Sequence, residues 1–194
     1  KGVLITRLSA SEDAATMNIL CVDKTGTITM NKLSIANVIA LNDFSEQDVL
    51  FYGALASQEA NQDPIDLAFI RAAKESNLID NSFMQTEFVP FDPETRRTEA
   101  LVKKNGRQFR VMKGAVNVIT KACGLDENER KELDVRISEF AIKGYRTMAV
   151  AKTDGQNQPK LVGLVTLHDM QRPDSRQLIE ELKNLGISIK MLTG

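Results

Sequence analysis

Asp23 is the residue of this chain best placed to do chemistry. It closes a short apolar run, residues 19–22, and is followed at once by Lys24, Thr25, Gly26 and Thr27. Such a run reads as a strand buried on both faces, as in parallel sheets, where ligands bind beyond the carboxyl ends of strands. A carboxylate delivered there meets an ammonium, two hydroxyls, and backbone N–H groups that a glycine lets approach closely. That set suits a phosphoryl group. Two plainer readings compete on the residues alone. Asp before Lys-Thr-Gly also makes a serviceable turn or cap. Gly, Lys and Thr together also bring a Walker phosphate loop to mind, but no glycine precedes Lys24 at the spacing that loop needs, so a nucleotide is not cradled that way.

The stretch Asp23-Lys-Thr-Gly-Thr-Ile-Thr29 resembles the phosphorylation motif of P-type cation-transporting ATPases. Its first five residues would match by chance in about one chain of this length in ten thousand. In that family the Asp attacks the γ-phosphate of ATP and carries an aspartyl-phosphate, on a fold similar to haloacid dehalogenases. The resemblance implies this role for Asp23. It further implies Mg²⁺ held by the Asp23 carboxylate and the Thr25 backbone carbonyl, with Lys24 and Thr193 steadying the transferring phosphoryl group.

Two more stretches, Phe91-Asp-Pro-Glu-Thr-Arg-Arg-Thr98 and Lys113-Gly-Ala115, resemble the nucleotide-domain motifs of the same pumps, in their order and spacing. An adenine ring takes an aromatic face for stacking and cations for its edge and phosphates. The match has Phe91 stacking on adenine, Lys113 and Gly114 lining the pocket, Arg96 beside it, and Arg146 reaching the phosphates. Taken singly, a Phe reads as core and an Arg or Lys as surface; their joint occurrence downstream of Asp23 carries the functional reading. Asp66 has two readings, as the third-position partner of a helix cap and as the acid that meets the adenine amino group. His168-Asp169-Met-Gln-Arg172 resembles the hinge where the chain returns to the phosphorylation domain, with Asp169 and Arg172 in matching places and Met170 and Gln171 where two prolines are common. His168 itself reads as structural. Thr193 and Gly194 open a Thr-Gly-Asp motif and join the expected ligand-binding set.

Composition sets the bounds. A chain of 194 residues, 42% hydrophobic, has material for one large domain or a medium one with part of another. Its net charge of −1 gives no basic surface for nucleic acid. The two cysteines, Cys21 and Cys123, lie in or beside apolar runs without metal-ligand spacing, and read as buried free thiols. No apolar run reaches 18 residues and no signal peptide is legible, so the piece reads as soluble. P-type pumps are membrane proteins. The resemblance therefore implies a fragment from the cytoplasmic side of a longer protein of the cell membrane. Its partners would be ATP and the rest of the same pump, and the fragment alone is expected to bind ATP without turning it over. The Asn61-Gln-Asp-Pro-Ile-Asp66 stretch, together with the Phe91-Asp-Pro stretch, looks most like the proton-pumping branch of the family. The alternatives are a soluble haloacid dehalogenase-like phosphatase, which usually has a second Asp where Thr25 stands, and a nucleotide-binding module without catalysis.

The elements that must position these residues follow from local chemistry. Ser11 to Ala15 reads as a short helical turn, and residues 34–41 as a strand. Ser45 with Asp48 caps a helix reaching about Glu59, which buries Val49, Leu50 and Leu55, and Asp63-Pro64 opens another to about Ser76. A short strand covers 87–91. Asn105-Gly106 turns a hairpin of 98–104 and 107–112. Lys113-Gly-Ala115 opens a helix ending near Gly124; a second, capped by Asp126 with Glu129 and stopped by Gly144, buries Leu133, Ile137, Phe140 and Ala141. Strands 145–152 and 160–167, a helix 174–185 and a strand 187–192 complete the chain. Residues 32–167 thus read as an α+β nucleotide-binding domain, with an antiparallel sheet and helix pairs. It is inserted into an incomplete α/β phosphorylation domain of haloacid dehalogenase-like fold, formed by 1–31 and 168–194.

Overall fold

A computed structural model describes residues 6–80, 82–155 and 157–192, apart from the side chains of 8, 10, 11, 25 and 31. The chain runs through α1 (Leu8–Ala15), β1 (Ile19–Asp23), a π-type turn (Lys24–Ile28) and β2 (Thr29–Ala40). Next come α2 (Glu46–Leu55), a 3₁₀ turn (Glu59–Asn61), α3 (Pro64–Glu75), and the strands β3 (Met84–Val89), β4 (Arg97–Lys104) and β5 (Arg107–Ala115). Helices α4 (Val116–Ala122) and α5 (Glu127–Ile142), strands β6 (Arg146–Asp154) and β7 (Lys160–Gln171), helix α6 (Ser175–Asn184) and strand β8 (Ser188–Leu192) finish it. Two compact units result, Lys1–Asn31 with Asp169–Gly194, and Lys32–His168.

The larger unit is built on a sheet of order β2-β7-β6-β5-β4-β3, with antiparallel pairing from β3 through to β7. Asn105 and Gly106, at φ 49° and 79°, make the two-residue turn whose twist matches the flanking strands. Both faces of the sheet are covered. Val49 and Phe69, from α2 and α3, pack with Val150, Val162, Val165 and Leu167; Ile119 and Leu133, from α4 and α5, pack with Met112, Ala149, Ala151 and Leu164. This is why Met148, Ala149, Val150 and Ala151 are all buried, without the in–out alternation of a half-exposed strand.

Three helices start where their caps dictate. Ser45 and Asp48 form a reciprocal capping box, as do Asp126 and Glu129, while Asp63 accepts from the N–H groups of Ile65 and Asp66 ahead of a first-turn proline.

Several boundaries differ from the sequence expectation. Helix α2 stops at Leu55 rather than near Glu59, because Ser57 turns its hydroxyl back to the Gly53 carbonyl (2.8 Å) and the Gln58 N–H is taken by Asp66 Oδ2 (2.9 Å). Lys113–Ala115 belong to β5 and do not open a helix: their backbone is held in register by both β4 and β6. Ala141 faces solvent. Strand β2 starts at Thr29, and β7 continues through Met170 and Gln171, which keep the N–H groups that prolines would lack.

In the smaller unit β1 and β8 pair in parallel, from Ile19 opposite Ser188 to Asp23 opposite Leu192, and Gly186 at φ 81° ends α6. The expectation that β1 is buried on both faces is not met. Its burial alternates, with Ile19 52% exposed and Cys21 exposed, because among the described residues this sheet has two strands and nothing covers the strand's outward face. Cys21 is therefore not a buried thiol. Cys123 is half-buried, and burial pushes its pKa up to about 11, which keeps it an unreactive thiol. Among the described residues no helix is long and apolar enough to cross a membrane.

Candidate functional site

The smaller unit presents Asp23, exposed, at the carboxyl end of β1. The chain then makes one π-type turn, Lys24–Ile28. Gly26 sits in it at φ 79° with open space where a Cβ would be, so backbone conformation rather than crowding calls for glycine there. The turn is held from inside by Thr29, 4% exposed: its Oγ1 accepts from the Gly26 N–H (3.2 Å) and lies 2.6 Å from Asp169 Oδ2 and 3.2 Å from the Lys24 carbonyl. Behind it, the Ile28 carbonyl accepts from the Arg172 N–H (3.0 Å) and from Ser175 Oγ (2.7 Å). Lys24 is half-buried, and Arg172 is exposed and 3.6 Å from Asp174. The backbone of Thr25 lies in the turn, and its side chain is outside the described residues, as are Thr193 and Gly194.

In the larger unit the register brings the second set to one end of the sheet. Arg97 pairs with Gly114 and Thr98 with Lys113, Lys113 pairs in turn with Val150, and Arg146 pairs with Leu167. Phe91, ahead of β4, is 50% exposed. It is followed by a tight loop in which Asp92 Oδ1 accepts from the N–H groups of Glu94 and Thr95, and the Arg96 N–H reaches the Asp92 carbonyl at 2.7 Å. Arg96 adopts φ 52°, and its carbonyl is bound by the Ala115 N–H at 3.0 Å. A Cβ on Gly114 would lie 2.5 Å from that carbonyl oxygen and 2.6 Å from Arg97 Cβ, so only glycine lets the Phe91–Arg96 loop seat on β5. Arg96 and Arg146 are both exposed at this end.

Beneath them Lys113 is shut inside, at 1% exposure. Its Nζ donates to Asp66 Oδ1 (2.5 Å), to the Ala56 carbonyl (2.8 Å) and to Thr98 Oγ1 (2.9 Å), which occupies all three ammonium hydrogens. Burial pushes the Lys113 pKa down, and the Asp66 carboxylate holds it part of the way back. Asp66, 2% exposed, accepts the Gln58 N–H with its second oxygen. Its carboxylate therefore does not reach back to the cap; only its N–H does, to Asp63 Oδ1. The polar residue that sequence reasoning missed here is Ser57, which sets where α2 ends. In the smaller unit it missed Ser175, whose sole signal was its place at the start of a helix.

Among the described residues no group of three or more His, Cys, Asp or Glu gathers to hold a metal. Mg²⁺ beside nucleotides is bound by one or two carboxylates together with phosphate oxygens and water. A single exposed carboxylate heading a turn, as Asp23 does, fits that donor set.

A sequence profile of haloacid dehalogenase-like hydrolases matches residues 17–194. A cation-transporting ATPase of Methanocaldococcus jannaschii is 39% identical over the whole chain, and a proton ATPase of Leishmania donovani is 37% identical over 99% of it. The chain spans 24% and 20% of the lengths of these two relatives. The crystal structure of a zinc-transporting PIB-type ATPase superimposes with a TM-score of 0.68 and 25% identity, covering 95% of this chain and 26% of the other. The chain belongs to the haloacid dehalogenase-like hydrolases, and its relatives among them are P-type cation-transporting ATPases.

Proposed function

We propose that this chain is the ATP-using part of a cation pump, on the cytoplasmic side of the cell membrane, and that Asp23 becomes phosphorylated. The observation that carries this reading is an exposed carboxylate at the carboxyl end of a parallel strand, opening a turn whose backbone is fixed from behind. A carboxylate oxygen of Asp23 attacks the γ-phosphorus of ATP; the new bond forms as the bond to the bridging oxygen breaks and ADP departs. Such transfer is governed by positioning and charge neutralisation. Asp23 and the Thr25 backbone carbonyl would hold a Mg²⁺ ion, which would supply charge neutralisation for the transfer. Lys24 and Thr193, with Gly194, steady the transferring group, and Asp169 and Arg172 belong to the same side of the reaction.

The larger unit holds the nucleotide. Phe91 offers its half-exposed ring to adenine, Arg96 sits beside the pocket, Arg146 offers charge to the phosphates, and Asp66, Lys113 and Gly114 form the floor of the pocket. Protons are the cargo best supported, by the likeness to relatives named as proton ATPases. A soluble phosphatase is less well supported, since Thr25 stands where its second acid would be.

Mass spectrometry of the full-length protein after incubation with Mg-ATP tests the reading. A hydroxylamine-labile phosphate on Asp23, absent from Asp23→Asn while ATP binding persists, is the expected result. Turnover of ATP without any acyl-phosphate would overturn it. Dye-monitored acidification of reconstituted vesicles tests the cargo.

A further inference from the structure

We infer that Thr29 and Ser175 are positioning residues that lock the turn carrying Asp23, a role resting on the reading of Asp23 as nucleophile. The Lys24–Ile28 segment is a single π-type turn, as π-helical stretches mostly are. It is held by Thr29, which directly follows it, and by groups about 140 residues away in the chain. At its front, Thr29 Oγ1 accepts the Gly26 N–H, and its single hydrogen faces two acceptors, the Asp169 carboxylate at 2.6 Å and the Lys24 carbonyl at 3.2 Å. The shorter, charge-assisted contact takes the hydrogen. Asp169 is thereby aimed at the hydroxyl, while its other oxygen, Oδ1, is buried without a hydrogen-bond partner among the described residues. A buried carboxylate oxygen left unsatisfied is costly, and the bond from Thr29 to Oδ2 offsets part of the cost of placing this carboxylate, carried on β7, against the turn.

At the back of the turn the Ile28 carbonyl is bound twice, by the Arg172 N–H and by Ser175 Oγ at 2.7 Å. Ser175 is 9% exposed, and it is the first residue of α6, so the position of the helix is transmitted to the turn through one hydroxyl. Neither hydroxyl is assigned to the reacting atoms. Their effect is to fix where Gly26 and Ile28 lie, and with them the N–H groups and the Lys24 side chain beside Asp23. Near-attack geometry is unforgiving: a displacement of about 1 Å costs roughly 100-fold in rate.

The test uses the full-length pump and single-turnover phosphorylation from radiolabelled ATP, with ATP binding measured on the same preparations. Thr29→Val, which keeps the shape and removes the hydroxyl, is expected to slow phosphoenzyme formation by about 10- to 100-fold with the ATP dissociation constant within about twofold of wild type. Ser175→Ala is expected to slow it by about fivefold, the effect of one hydrogen bond. Thr29→Ser and Ser175→Thr restore the hydroxyls and are expected to restore the rate. Wild-type rates in both Thr29→Val and Ser175→Ala would overturn the inference. So would a failure of the conservative variants to rescue, or a loss of ATP binding equal to the loss of rate, because each would make the hydroxyls mere supports of folding. A wild-type pump that turns over ATP with no phosphoenzyme would instead overturn the reading of Asp23, and the inference with it.

Discussion

Asp66 and Asp23 are carboxylates that the two units treat in opposite ways. Asp66 is 2% exposed, at the start of a helix, with both oxygens committed and an ammonium 2.5 Å away. Asp23 is exposed, at the end of a strand, on a turn held by neighbours rather than by a surrounding core. Burial makes Asp66 immobile and unavailable as a nucleophile, because each of its oxygens is already tied to a donor and solvent is shut out. Exposure leaves Asp23 room to accept a group that was absent when the protein folded. A carboxylate sealed in as a counter-charge and one left exposed at a strand end thus differ first in surroundings, although the two share one chemistry.

The sharpest way to break this contrast is at Asp66. Asp66→Ala leaves the Lys113 ammonium buried without its counter-charge, and the loss of one partner of such a pair costs about 3–5 kcal/mol. Denaturant unfolding of the chain should show it as a lower midpoint at unchanged slope. The double variant Asp66→Leu with Lys113→Met replaces the pair by apolar groups and should recover most of that loss. If the single and double variants are equally unstable, the ammonium is not the source of the cost. The direction of the Lys113 pKa adds a sign. Folding lowers it, so between its folded value and the ordinary lysine value the unfolded chain binds more protons, and this group alone makes stability rise with pH through that window.

A smaller effect is expected at Gly114, where the contrast depends on backbone packing. Gly114→Ala forces a methyl against the Arg96 carbonyl and Arg97, and overpacking of this kind costs about 1–3 kcal/mol. Because the displaced loop also carries Phe91, ATP affinity should fall together with stability in calorimetric titration and thermal melts. Phe91→Ala separates the two. Its ring is 50% exposed and contributes little to the core, so stability should hold while ATP binding weakens by about 1–3 kcal/mol, the range for base–aromatic stacking. Equal ATP affinity in wild type and variant would remove Phe91 from the site.

What was legible in the sequence was whatever neighbours along the chain decide. Ser45 with Asp48, Asp126 with Glu129, Asp63 before Pro64, and Asn105 before Gly106 each fix a helix start or a turn through groups at most three residues apart. The Asp23 motif was legible for the same reason, being contiguous. Thr29 with Asp169 and Ser175 with Ile28 were not, since their partners are 140 and 147 residues away and a Thr or Ser in a sequence carries no mark of where its hydroxyl points. Taken singly, Lys113 reads in sequence as a solvated surface cation, because a lysine ordinarily is one. Only the meeting of β4, β5 and α3 with the end of α2 supplies the three acceptors that offset the cost of its burial. Cys21 errs the other way: an apolar run signals a buried strand, but burial depends on what lies over it, and among the described residues β1 is joined by β8 alone.

The smallest expected effect sharpens the contrast by adding an ion pair at the surface, its side chains 35% and 48% exposed. Asp80 accepts from the Ser82 N–H at 2.8 Å and from Lys104 Nζ at 3.1 Å on the open surface of the larger unit. The Ser82 hydrogen bonds, and after them the Lys104 ammonium, hold its carboxyl down at about 2 from an ordinary 3.8. Folding thus lowers this pKa, so the stabilisation is fully present above 3.8 and is lost as pH falls through about 2. Asp80→Asn removes the titrating group. The difference in unfolding midpoint between wild type and variant should be slight at neutral pH, shrink below about pH 4, and shrink at neutral pH too when salt is added, because exposed charges are screened. The Asp66–Lys113 pair, sealed from solvent, should show no such salt dependence in the same buffers. A salt response as large at Asp66 as at Asp80 would mean that water and ions reach the buried pair, and the distinction between a carboxylate fixed by burial and one left open to solvent would fail in the larger unit.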